Sequence, residues 1–470
     1  MDYTQNNIIT QLQLSLSTNF LQIPSSLDGF TNTHTTTGTT FSDRDIFCFH
    51  GDLDVNATDC ICPKCTSKVH INCNRNTTLR HLCFGHTLTC VSFGRKQFYC
   101  PICGHSYMQD IPFKAENHRI TLELEQYTKD LLATSNYTLK EVAEITGLGK
   151  NTVKTIDKRR LQENYTVDGK VLRKPEKQAK YLGIDQFKLH DGHKYATHII
   201  DMNTGHILWI AHGKKKQVVY DFIEHVGLEW IDEVEAIACD MNSDFEEAFE
   251  EKCPHIQPVF DYFHIVKNFN DKVVGAVRKD EQRRLISEGN EEAAKALKKT
   301  RFILTSKKST LEKKDQEVTE GKILSKESEL FNIPEYKREG NYLARYEELI
   351  KENELLLTVD IVKEKLTVAY QDNDESKMSK EIIEIIDICD ATENKHFKWF
   401  SRLLTNYFEG IIAHGTYKIS AGKIEGINNK IKTIRRQGYG YPDDEYFFLK
   451  LIDMSRTTYV RNVKSHKLCD

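Results

Sequence analysis

YLGIDQFKLHDGHKYATHIIDMNTGHILWIAHG, residues 181–213, carries the decision about the fold. Three apolar stretches, YLGIDQFKL, KYATHIIDM and HILWIAHG, are separated by HDG and NTG. Short β-branched and aromatic runs between such turn residues read as strands. A helical pattern follows at about 216–226, then EVEAIACD as a buried strand ending in Asp240, DFEEAFEEK as helix and PVFDYF as a further strand. From 265 to about 405 the chain is charged and helical, with one proline, Pro334. Beyond it, Ile424, Ile427, Ile431 and Ile434 recur at helical spacing and define a buried stripe, with Glu425 beside it.

Strand, strand, strand, helix, strand, helix, strand, then a helix carrying Glu is the order of a ribonuclease H-like α/β fold. In that fold the first and fourth strands are neighbours, which brings Asp185 and Asp240 towards each other. An acid inside the apolar run LGIDQF is costly unless it is used. Two or three convergent carboxylates bind a pair of Mg²⁺ (or Mn²⁺) ions ~3.5–4 Å apart. One ion activates the attacking water or 3′-hydroxyl and the other stabilises the leaving 3′-oxygen. Asn428, Asn429 and Lys432 lie along the face of Glu425, and Lys430, Lys432, Arg435 and Arg436 are candidate phosphate contacts. A solvated basic face is the bland alternative for those cations.

The N-terminal third has different chemistry. Of thirteen cysteines, eight lie between Cys60 and Cys103. Cys62-Pro-Lys-Cys65 and Cys100-Pro-Ile-Cys103 form two knuckles whose four thiolates suit a closed, structural Zn²⁺ site. The 34 residues between Cys65 and Cys100 exceed the common ribbon spacing, so a small sheet or extra loop must fit there. Cys60, Cys73, Cys83, Cys90 and His105 compete as ligands. Residues 138–158, TLKEVAEITGLGKNTVKTIDK, have the cadence of a helix-turn-helix. Leu139, Val142, Ala143 and Ile145 make its apolar face, Gly147 its turn, and Val153 and Ile156 pack the second helix. Lys150, Asn151, Lys154 and Lys158 then face outward as candidate DNA contacts. From Lys140 to Lys180 there are eleven Lys or Arg against six Asp or Glu, a local basic excess under a formal net charge of −4.

Composition limits the classes. With 470 residues, 39% hydrophobic and 29% charged, the chain is long enough for several packed domains. No run approaches the ~18 apolar residues of a membrane span. The N-terminus has no cation before Arg44 and no apolar core, so no signal peptide is read, and the odd cysteine count speaks against a disulfide scaffold. The expectation is a bacterial cytosolic, nucleoid-associated protein with no membrane partner.

These stretches together resemble the ISL3 family of bacterial insertion-sequence transposases over essentially everything after residue 45. CPKC with CPIC, the helix-turn-helix, GIDQF, YATHIIDMNTG, ACDMNSDF, VFDYFHIVKN and IEGINNKIKTIRRQGYGY carry the resemblance. It implies a DDE triad on Asp185, Asp240 and Glu425, and an α-helical insertion between the fifth strand and the Glu helix. Asp261 and His264 match a DxxH element, for which a structural or DNA-positioning role is expected. The implied activity is binding of terminal inverted repeats, cleavage at the element ends and joining of 3′-OH ends to target double-stranded DNA, by a homo-oligomer. The implied layout is a polar leader (1–45), zinc module (46–112), helix-turn-helix domain (115–165), basic linker (166–180), and a catalytic domain in two parts (181–265 and 416–470) around the insertion (266–415). The rival class is a catalytically inactive zinc and helix-turn-helix regulator derived from a transposase.

Overall fold

The computed structural model describes residues 27–40, 43–192, 194–241, 243–319, 340–371, 374–420, 422–438 and 440–456. Most of the expected leader and Pro334 lie outside them. The chain divides into two compact units, residues 1–173 with 434–470, and residues 174–433.

The first unit begins with a five-stranded sheet, β1 (Phe30–Thr39), β2 (Asp45–Leu53), β3 (His70–Phe84), β4 (Thr87–Tyr99) and β5 (Ser106–Met108), ordered β1-β2-β4-β3 with β5 on β4. The loose leader expected up to residue 45 is therefore corrected: Phe30–Thr39 is a strand paired antiparallel with β2. Its threonines favour extended backbone although they bury little. The long β3–β4 hairpin is the extra sheet required between the two cysteine knuckles. Phe30, Phe93 and Phe113 meet edge to face in its core, with ring centroids 5.7–6.4 Å apart.

Three helices follow, α1 (Leu122–Ala133), α2 (Leu139–Thr146) and α3 (Lys150–Tyr165). Thr138 and Glu141 form a reciprocal capping box at the start of α2, and Gly147 ends it in the left-handed region (φ +66°) that favours glycine. Leu132, Val142 and Val153 are fully buried between the three helices. The expected linker contains a small hairpin, β6 (Thr166–Val167) and β7 (Val171–Leu172).

In the second unit, β8 (Tyr181–His190), β9 (Lys194–Asp201), β10 (Ile207–His212), β11 (Ala236–Ala238) and β12 (Gln257–Val259) form a sheet ordered β10-β9-β8-β11-β12. The first three strands are antiparallel neighbours, and β8, β11 and β12 are parallel. Helix α4 (Lys216–Val226) precedes β11, α5 (Ser243–Lys252) follows it, and α6 (Tyr262–Asn268) follows β12. Described residues from there to Tyr417 are helical or connect helices. Then comes α7 (Gly422–Gln437), whose Ile424, Ile427 and Ile431 are buried. Gly183 on β8 makes room for this helix: a Cβ there would lie 2.8 Å from Ile424 Cδ1 and 2.5 Å from Met202 Sδ.

The last described helix, α8 (Asp444–Arg456), packs in the first unit. Tyr446 and Leu449 bury against Leu161 of α3. The fully buried Asp157 accepts from Tyr446 Oη at 2.7 Å, Lys450 Nζ at 2.8 Å and Arg160 Nη2 at 2.9 Å. Arg160 also donates to Asp453 at 2.7 Å, as does Tyr165 Oη. Burial disfavours the Asp157 carboxylate, but Lys450 and Arg160 outweigh it and hold its pKa below the ordinary 3.8. That contribution is present above pH 3.8 and is lost as pH falls through the lower folded value. Asp453→Ala, which strands part of a buried guanidinium, is expected to destabilise the first unit by about 3–5 kcal/mol. Urea unfolding followed by amide exchange in α3 checks it.

Candidate active site and metal centre

The strand order sets Asp185, in the middle of β8, beside β11, with Asp240 two residues past the end of β11. One Asp185 oxygen accepts from its neighbour's backbone, Gln186 N–H at 2.7 Å, and the other from Asn428 Nδ2 at 2.6 Å. Burial pushes the Asp185 pKa up, while these two hydrogen bonds and the charge of His264 oppose the rise. Asp240 behaves oppositely. His264 Nδ1 lies 3.1 Å from its Oδ1, and that hydrogen bond is the main cause holding the Asp240 carboxyl below the usual range. Burial disfavours the imidazolium of His264, but the hydrogen bond and charge of Asp240 prevail and raise its pKa.

Asp185, Asp261, His264, Glu425, Asn428 and Lys432 line one cavity of about 690 Å³. Asp240 is not among its lining residues and is tied to it through His264. Glu425 is exposed on α7, on the side away from Ile424 and Ile427. The start of that helix is pinned by Lys423, whose Nζ donates to the carbonyls of Met202 (2.7 Å) and Asn203 (2.5 Å) in the β9–β10 turn. Asp261 caps α6, accepting from Phe263 N–H at 3.2 Å, so PVFDYF is a strand only through Val259.

Several expected DNA contacts are occupied otherwise. Asn428, expected among the DNA-binding residues with Asn429, is half-buried and donates its amide to Asp185. Lys154 and Lys158 lie 3.5 and 3.0 Å from Asp443, the residue just before α8. Lys150 and Asn151 are exposed at the start of α3, as are Asn429, Lys430, Lys432 and Arg436 on α7, while Arg435 is half-buried. Sequence spacing missed the pinning role of Lys423, because its acceptors are backbone carbonyls with no residue signature.

The cysteine knuckles converge. The sulfurs of Cys62, Cys65, Cys100 and Cys103 all lie within 4.8 Å of one another. Cys62 and Cys103 are 3.6 Å apart and Cys65 and Cys100 3.4 Å. Four Zn–S bonds of about 2.3 Å at tetrahedral angles need sulfurs roughly 3.8 Å apart, so the set fits zinc. Hydrogen bonds from Ser67 lower the Cys65 thiol to about 6, which favours the thiolate that a metal takes. The competitors fall elsewhere: Cys73 donates to Gln97 at 3.0 Å and Cys83 to the Thr146 carbonyl at 3.3 Å.

A helix-turn-helix and a carboxylate-lined cavity in one chain define a DNA-binding protein with a candidate catalytic centre. A family model described as transposase matches residues 182–451, and one described as the helix-turn-helix domain of transposase family ISL3 matches residues 109–161. The chain belongs to the ISL3 family of transposases. It is similar to the transposase for insertion sequence element IS1001 of Bordetella parapertussis, 28% identical over 76% of this chain and 79% of that protein. It is also similar to the transposase for insertion sequence element IS1557 of Mycobacterium tuberculosis, 27% identical over 18% of this chain and 19% of that protein.

Stripping zinc with a strong chelator, or Cys62→Ser, is expected to unfold the knuckles and lower the thermal midpoint of the first unit while leaving the second unchanged. Metal analysis with domain-resolved hydrogen exchange reads both.

Proposed function

We propose that the protein is a DDE transposase of an insertion sequence, with a ribonuclease H-like catalytic domain interrupted by the helices between β12 and α7. The observation that carries this reading is that Asp185 and Glu425 line one cavity together with His264, whose Nδ1 lies 3.1 Å from Asp240. The donor set is all hard oxygen, which suits Mg²⁺ or Mn²⁺ and leaves zinc to the thiolates. Asn428 Oδ1 is buried without a partner beside Asp185, as expected where a further group binds. When bound at Asp185, Asp240 and Glu425, a Mg²⁺ pair supplies Lewis-acid stabilisation of the attacking and leaving oxygens of a phosphodiester.

The chain's own residues do the rest. Asn428 and the Gln186 amide fix both oxygens of Asp185, and His264 orients Asp240. Lys432, at the cavity wall, offers a cation to a DNA phosphate. In the first unit, Lys150 and Asn151 at the start of α3 are presented for base and backbone contacts in the terminal inverted repeats. Zinc-held knuckles brace the sheet preceding those helices, and a homo-oligomer on paired DNA ends is expected.

Strand transfer in Mg²⁺, on DNA carrying the element's ends, tests this reading. Asp185→Asn keeps the shape but loses the charge, and is expected to lower the rate at least ~100-fold while leaving end binding unchanged. Full activity in that variant sinks the catalytic assignment. A wild-type protein that binds ends but never cuts them supports the inactive regulator.

A further inference from the structure

The stretch RRQGYGYP, residues 435–442, lies beyond the Glu-bearing segment, and the catalytic reading gives most of it no task. In the first unit, Arg436, Gln437, Gly438, Gly440, Tyr441 and Pro442 of this stretch line a second cavity, about 680 Å³, that is also lined by the start of α2 and the start of α3. Gly438 lets the chain fold back on itself, since a Cβ there would lie 2.4 Å from the Tyr441 ring. Gly440 takes a left-handed φ of +92°. The Tyr441 ring is stacked on Phe447 at 4.7 Å, which ties the turn to α8.

The charges of this cleft are unequal in freedom. Lys154 is paired with Asp443, Lys450 with Asp157, and Lys140 with Glu144. Lys150 and Arg436, among the described residues, have no hydrogen-bond or ion-pair partner. Gly149, the residue capping the 16-residue α3, provides no side-chain cap, so the first N–H groups behind Lys150 stay open to an anion. The same cavity is lined by Leu139, Pro442, Met454 and the 42% exposed Tyr137, beside the acids Glu141, Glu144 and Asp443.

We propose that this cleft takes an unpaired stretch of DNA, with a base against Tyr137 and Leu139 and its flanking phosphates on Lys150 and Arg436. Duplex backbone needs cations on an open surface and gains nothing from an apolar recess. A concave site with an aromatic wall and cations at its rim suits a base taken out of the stack. The proposal rests on the transposase reading for the identity of the polymer, and it adds single-stranded DNA to the substrates of the end-binding unit.

The test uses full-length protein, fluorescein-labelled (dT)12 and a 20-base-pair duplex, compared by fluorescence anisotropy at fixed salt. Tyr137→Ala and Arg436→Ala are each expected to weaken (dT)12 binding about ten-fold or more, with Tyr137→Phe close to wild type and duplex binding changed less than three-fold. Three results overturn the proposal: no binding of (dT)12, equal binding by wild type and both alanine variants, or a parallel loss of duplex binding in Arg436→Ala. The last outcome makes the site a clamp on duplex phosphates. Asp185→Asn serves as the independent control. Its loss of strand transfer with intact (dT)12 binding separates failure of the cleft from failure of the catalytic assignment.

Discussion

The contact on which the second unit's candidate site depends is the packing of α7 over β8 at Gly183. Two segments about 240 residues apart meet there, and the Asn428–Asp185 hydrogen bond spans 243 positions of sequence. Any Cβ at Gly183 pushes Ile424 and Met202 outward, and Glu425 is the next residue after Ile424. The apolar stripe of α7 therefore does more than bury area. It fixes the height at which a carboxylate stands beside the sheet, while Lys423 fixes where the helix begins.

The same site shows how neighbouring acids acquire different characters. Asp185 is raised by burial and held by neutral amide donors, whereas Asp240 is lowered by a charged imidazole. Within the DxxH element, Asp261 caps the helix from which His264 reaches back to Asp240.

Much of this was legible in the sequence, for identifiable reasons. Turn residues at HDG and NTG separate the first three strands, and EVEAIACD is apolar enough to mark a buried strand, although the strand itself is only Ala236–Ala238 and stops short of Asp240. The knuckles were legible because CxxC spacing is itself the geometry of a metal turn. What escaped depended on distant partners. Lys154 and Lys158 look like free recognition-helix cations until Asp443, 285 positions beyond Lys158, is placed beside them. The run YFFLKLIDM announces burial but not its partner, Leu161 of α3. The threonines of β1 look solvated by composition, and only their pairing with β2 makes them a strand.

The two halves of the first unit enclose the second in the order of synthesis. Asp157 is buried in α3, but Lys450, one of its compensating charges, lies 293 residues later. At roughly 5–20 residues per second, a ribosome takes on the order of 15–60 s to supply it. Until then the helix-turn-helix holds an acid that lacks Lys450 and Tyr446, and an arginine that lacks Asp453. A chain stopped within that interval carries the recognition helix without the partner that seats it. The charge balance of Asp157 and Arg160 is thus settled only once residues 446–453 have been made.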